Sequence, residues 1–116
     1  MGALVMVSSA IYPGLTGASP AVLSPAVYSR EIPTAGTAGV VTISDDLENA
    51  TITSQRTPAL RALQAGLDLL LYSDHQTASA TAYTKLLTDL QTGSLSSNRV
   101  RDAYRAMIAL KRQIAG

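Results

Sequence analysis

"GVVTISDDLENA", Gly39 to Ala50, is the stretch on which the fold turns. Val40, Val41, Thr42 and Ile43 are β-branched, a residue class that suits extended backbone and disfavours helix. The run lacks the polar–apolar alternation of a half-solvated hairpin, so it reads as a parallel strand covered on both faces. Ser44, Asp45 and Asp46 end it abruptly. Two adjacent carboxylates directly after a buried strand need a reason, because carboxylates resist burial unless something satisfies them.

Two further runs share this character: "ALVMVSS" (Ala3–Ser9) and "LDLLLY" (Leu67–Tyr72). Helix signals separate them. Ser24-Pro25 offers a cap and a first-turn proline for a short helix through Arg30, with Pro33 expected to end it. Thr57-Pro58 repeats that signature for "ALRALQA", where Leu60 and Leu63 share a face and Gly66 stops the helix. Thr77 to Thr92 is rich in Ala and Leu and closes at Gly93. Ser96 or Ser97 caps a last helix with an expected apolar stripe of Val100, Tyr104, Met107 and Ile114, and with its arginines on the wet side. Strand–helix repeated three times is the grammar of βαβ units, an α/β fold. Loops leaving strand C-termini carry the chemistry in such folds. The Pro/Gly/Ser loop from Tyr12 to Pro25 and the Asp45-Asp46 pair both lie on that side.

Length and composition set the outer bounds. The 116 residues suit one small domain. The chain is 47% hydrophobic and 15% charged, with no Phe or Trp, so its core must be built from Ala, Val, Leu and Ile. A net charge of +1 gives no reason to expect nucleic acid or an anionic membrane as partner. There is no cysteine, hence no disulfide and no thiolate site. No apolar run approaches the roughly 20 residues of a membrane span. "MGALVMVSSA" lacks the charged front of a signal peptide. A complete chain is therefore expected in the cytoplasm; a missing front end would take any secretion address with it.

In order along the chain, "VMVSSAIYP", "SPAVLSPAVYSREI", "GVVTISDDL", "ALRALQAGLDLLL" and "LQTGSLSSNRVRDAYRAMIALK" resemble the C-terminal part of the barrel domain of glycoside hydrolase family 3. The resemblance is closest to its single-domain β-N-acetylhexosaminidases. It implies a partial (β/α)8 barrel, with residues 1–116 forming three C-terminal βα units plus a final helix. It also implies a retaining glycosidase that releases terminal β-linked N-acetylglucosamine, or glucose if the parent is a β-glucosidase. Asp45 falls on the nucleophile position. A retaining enzyme needs such a carboxylate held rigidly, with a second acid group about 5–5.5 Å away. Ser9 stands where the hexosaminidases often carry a histidine on the sugar side. The resemblance implies a carbohydrate substrate and neither metal nor organic cofactor. The family's "KH.PGHG" signature and its Asp-His acid/base pair are absent. The expectation is thus a nucleophile without its acid: either one part of an enzyme, inactive alone, or a non-catalytic remnant. Open strand edges would then invite self-association or a complementing half-barrel.

Other residues carry blander alternatives. Read alone, an Asp after a strand often caps the next turn, which is the competing role for Asp45. Asp46 and Glu48 are expected to hydrogen-bond loop backbone or face water. Asp74-His75 is either a substitute proton-transfer pair or an exposed loop capping the following helix. Tyr12 either lines a sugar site or anchors its loop, and Met6 is expected in the core.

Overall fold

The computed structural model describes residues 4–35 and 40–115. The first residues of the expected strands, Ala3 and Gly39, lie outside that set. Strand β1 (Leu4–Val7) and strand β2 (Val41–Ser44) pair in parallel, with Leu4 opposite Val41 and Val7 opposite Ser44. The connection between them is helical: α1 (Pro13–Thr16), a 3-10 turn at Ala21–Leu23, a π-type segment at Val27–Glu31, and α2 (Ile32–Thr34). Beyond β2 come α3 (Ala50–Thr53), α4 (Pro58–Ala65), α5 (Gln76–Thr92) and α6 (Ser97–Ala115). None of the helices, among the described residues, is long and apolar enough to cross a membrane.

The expected third strand is reduced to one parallel bridge, Ile43 with Leu69. Its central hydrogen bonds are those of a ladder: Leu69 N–H donates to the Thr42 carbonyl at 2.9 Å, and Ser44 N–H to the Leu69 carbonyl at 3.0 Å. Side chains replace the ladder on either side. Thr42 N–H donates to Asp68 Oδ2 at 3.0 Å, Asp68 N–H to Thr42 Oγ1 at 3.1 Å, and Leu71 N–H to Ser44 Oγ at 2.9 Å. Main-chain groups that would have extended the strand are satisfied by hydroxyls and a carboxylate instead.

Helices cover one face of this sheet. Val7 joins Val22, Leu23, Val27, Leu47, Ile52, Ala62 and Leu67 in the core, with Tyr28, Ile32, Leu70 and Tyr72 packed around them. The opposite face is open along β1, against the expectation of two covered faces, although Val41 of β2, paired with Leu4, is buried on it. Leu4 is 49% exposed and Met6, expected in the core, 58%. Successive side chains on a strand point to opposite faces, so Leu4 and Met6 share the open side while Val7 faces the helices.

One helix boundary and one helix face also differ from expectation. Pro33 does not end its helix, because the preceding turn widens: Ile32 N–H donates to the Val27 carbonyl five residues back. A π-type turn lets the chain carry Pro33 through to Thr34. On α6 the buried residues are Ala103 and Leu110, whereas Tyr104 and Ile114 of the expected stripe are exposed. The inward face is shifted, and it brings Arg99 to the base of the sheet. The Arg99 guanidinium donates to the carbonyls of Leu63 (2.7 Å) and Leu67 (2.6 Å) and to Asp68 Oδ1 (3.2 Å). Gly66 ends α4 as expected, at φ +137°, and Ser96 Oγ caps α6 by accepting from Asn98 and Arg99 N–H.

Candidate functional site

Asp45 directly follows β2, and its backbone position is tied to the neighbouring strand: its N–H donates to the Val7 carbonyl at 3.0 Å. The side chain is half-buried, and Oδ1 accepts the Asp46 N–H at 2.8 Å. Ser9 lies two residues past the end of β1, on the same C-terminal rim. It is buried, and its Oγ is the one buried side-chain oxygen without a hydrogen-bond partner among the described residues. An unmatched buried hydroxyl costs about 1–3 kcal/mol, so it is a feature that calls for a partner.

The residues after Asp45 are fastened to the segment beyond Leu69. Asp46 Oδ2 accepts the Ser73 hydroxyl at 2.6 Å, and Oδ1 accepts N–H groups of Glu48 (3.0 Å) and Ser73 (3.4 Å). Leu47 is buried, and its N–H donates to the Leu71 carbonyl at 2.9 Å. Glu48 Oε2 accepts the N–H groups of Asp74 (2.7 Å) and His75 (3.1 Å), while Oε1 meets His75 Nδ1 at 2.7 Å. Asp46 and Glu48 thus bond loop backbone, as expected. His75 takes Glu48 as its partner in place of its neighbour Asp74, and its ring stands largely in solvent.

These contacts set the local protonation. The Ser73 hydroxyl, then the Glu48 amide, hold the Asp46 carboxyl below its ordinary value. The Asp74 amide does the same for Glu48, with His75 adding to it. The Glu48 carboxylate in turn raises the His75 imidazole, first by hydrogen bonding and then by charge. Desolvation raises the Tyr72 phenol, and the nearby Glu48 charge adds to that. One oxygen each from Asp46, Glu48 and Asp74 lies within 4.8 Å of the others. The Asp46 and Glu48 oxygens already accept hydrogens from the protein.

A groove of about 820 Å³ runs between α4 and α5, with Glu48, Tyr72 and His75 at one end and Leu60, Lys85 and Asp89 along it. Asp45 and Ser9 are not among its lining residues. Tyr12 has an exposed ring, while its backbone is held by Thr16: its N–H donates to Thr16 Oγ1 at 3.2 Å.

The sequence puts Asp45 after a strand, and the family resemblance puts Ser9 on the sugar side; bonds from Asp46 and Glu48 to loop backbone are expected, but not that their partner is the segment Ser73–His75. The pairing of Arg99 with Asp68 is not expected either. A local signal existed for the first, since acids at positions 46 and 48 flank a single apolar Leu47, and an apolar residue that turns inward leaves its two neighbours on the opposite side.

Parallel strands joined through helices, with a half-buried carboxylate one residue past a strand's C-terminal end, define a βα-type protein with its candidate site on the strand-end rim. The chain belongs to glycosyl hydrolase family 3: the profile of the Glycosyl hydrolase family 3 N terminal domain matches residues 2–110. Among solved structures, it is similar to a family 3 β-N-acetylglucosaminidase from Paenibacillus sp. str. FPU-7, with 27% identity and a TM-score of 0.88, covering 97% of this chain and 22% of that one. It is also similar to a glycosyl hydrolase of the GH3 family from Mycobacterium smegmatis (32% identity, TM-score 0.78, 92% of this chain and 34% of that one). A third is M tuberculosis LpqI (31% identity, TM-score 0.79, 93% and 34%). The chain therefore spans about a third or less of the length of these relatives. Among curated proteins none matches.

Proposed function

We propose that this chain is the nucleophile-bearing part of a retaining glycosidase that releases terminal β-linked N-acetylglucosamine. Asp45 would form the glycosyl ester. The observation that carries the reading is the position of Asp45 in a family 3 chain: one residue past β2, its N–H tied to the adjacent strand at 3.0 Å. A nucleophile must be fixed beneath the anomeric carbon, and a strand end tied on its other side provides that rigidity. The identity of the sugar rests on the similarity to a β-N-acetylglucosaminidase. Ser9 is assigned to the sugar side, where a ligand hydroxyl would satisfy its orphaned Oγ. No cofactor is required, since two carboxyl-type groups suffice for this chemistry.

A specific observation favours a second element of the reading, that residues 1–116 form one partial barrel domain and work only when joined to more of a barrel. The Val7 carbonyl bonds toward β2, so by the alternation of strand geometry the main-chain groups of Met6 face the other edge. Among the described residues no strand pairs there. No charged residue precedes Arg30, so that edge lacks the charges that commonly keep open edges apart. A complementing half-barrel, or failing that a second copy, would cover it, and the isolated chain would not turn over substrate.

Release of the aryl group from an aryl N-acetyl-β-glucosaminide tests the reading. We expect none from the chain alone, and release when it is refolded with the preceding part of a family 3 barrel. Asp45→Asn should abolish that release and Ser9→Ala should raise KM more than it lowers kcat. Release that survives Asp45→Asn would overturn the nucleophile assignment, and faster cleavage of the aryl glucoside would move the substrate to glucose.

A further inference from the structure

We propose that Asp46 and Glu48 are positioning residues for Asp45: they lock the loop that carries it onto the segment Leu71–His75, so that the Asp45 carboxylate keeps one orientation at the rim. The proposal rests on the nucleophile reading for its catalytic meaning, though the lock itself can be measured without any turnover.

The loop from Asp45 to Asn49 belongs to no helix or strand, and loops of that kind ordinarily move more than the elements they join. Here three consecutive residues are each fastened to the facing segment. Asp46 takes Ser73 through both carboxylate oxygens, Leu47 gives its N–H to Leu71, and Glu48 takes the N–H groups of Asp74 and His75. The His75 imidazole closes the remaining Glu48 oxygen at 2.7 Å. Glu48 is long enough to reach the surface, yet its side chain is only 12% exposed and points into these donors. A carboxylate with three donors at this range is committed to holding structure and is poorly placed to trade protons with a substrate.

The consequence for Asp45 runs through one hydrogen bond. Its Oδ1 accepts the Asp46 N–H at 2.8 Å, so the direction of its carboxylate is set by where the Asp46 amide is held. That amide sits between two anchors: Asp45 N–H on the Val7 carbonyl, and the Asp46 carboxylate on Ser73. Releasing the second anchor frees the amide to rotate and takes the carboxylate with it. A displacement of about 1 Å at a reacting group is enough to cost on the order of 100-fold in rate, which makes such a lock a functional matter.

The test is amide hydrogen exchange of the full chain, followed by NMR, together with titration of the His75 ring. Glu48→Gln keeps the shape and removes the charge; Ser73→Ala removes the hydroxyl anchor with minimal change in size. We expect exchange at Asp46 and Leu47 to quicken at least tenfold in both variants, with amides of α6 near Ala103 unchanged. The His75 titration midpoint should fall in Glu48→Gln, which removes the largest cause of its rise, and stay raised in Ser73→Ala. Exchange at Asp46 within twofold of the parent in both variants, or quickening by the same factor throughout α6, overturns the lock. Asp45→Asn is the separate arm: its effect on hydrolysis in the reconstituted barrel decides the nucleophile reading and leaves the exchange result standing on its own.

Discussion

Replacing Arg99 with methionine should destabilise this protein more than any other change to a charged residue of α6. The methionine keeps most of the apolar stem and removes only the guanidinium. That group makes three bonds, at 2.7, 2.6 and 3.2 Å, to Leu63, Leu67 and Asp68. Without it, the Leu67 carbonyl loses this donor, the Leu63 carbonyl keeps only the longer Gly66 N–H bond at 3.2 Å, and Asp68 loses its counter-charge. Breaking a buried pair from one side costs about 3–5 kcal/mol. Arg99 and Asp68 are 18% and 11% exposed, so water reaches them in part, and Asp68 Oδ2 keeps the Thr42 N–H. The lower end of that range, about 3 kcal/mol, is therefore expected, or a melting temperature lower by roughly 12 °C. Urea denaturation followed by far-UV circular dichroism measures it, with an unchanged slope as the check that the denatured state has not altered. A double-mutant cycle with Asp68→Asn should show coupling of about 1–2 kcal/mol. Arg99→Lys should recover less than half the loss, because one ammonium cannot span three divergent acceptors as the planar fork does. A loss below about 1 kcal/mol, or no coupling to Asp68, would refute the claim that this arginine ties α6 to the base of the sheet.

Other expectations follow from local geometry. Gly66→Ala should cost about 3 kcal/mol by the same assay, since a left-handed backbone disfavours any side chain and overpacking adds to it; an added Cβ would lie 2.6 Å from Tyr28 Cβ, at φ +137°. Thr57 precedes α4 at φ +43° with no side-chain cap bond, so Thr57→Asn should raise stability by about 1 kcal/mol, read as a higher urea midpoint. The loop lock should depend on pH at both ends. The raised His75 pKa means that its pairing with Glu48 contributes fully below about 6.5 and is lost as pH rises through the higher folded value. The lowered Asp46 and Glu48 pKa values mean that their bonds contribute fully above the ordinary carboxyl range and are lost as pH falls through the lower folded values. Asp46 and Asp74 also face His75 and reinforce its raised value. Exchange at Asp46 should therefore be slowest between about pH 5 and 6.5; a rate profile rising monotonically with pH after correction for intrinsic exchange would contradict this.

What the sequence made legible follows from what local chemistry can encode. β2 could be read because four β-branched residues in a row, Val40 to Ile43, have a single comfortable backbone state. The turns at Gly66 and Gly93 could be read because both sit at positive φ, where glycine has no rival. Leu67–Tyr72 has strand composition, yet whether it makes a ladder depends on Asp68 meeting Thr42 and Leu71 meeting Ser44, partners 26 and 27 residues away. Met6 has core composition, but composition cannot say whether anything covers the face on which it stands. Arg99 was read as wet because arginine usually is; its inward course is fixed by carbonyls of Leu63 and Leu67, which carry no sequence signature at all, since every residue has one. The same distinction divides the site. Asp45 could be placed at a strand end from strand order, and Ser9 on the sugar side from the family resemblance. The bonds that hold Asp45 still are made by a second loop, and a carboxylate such as Glu48 becomes a structural anchor only when that loop supplies the donors. The chemistry of the rim is thus written in single residues, and its rigidity in pairs that only the folded chain brings together.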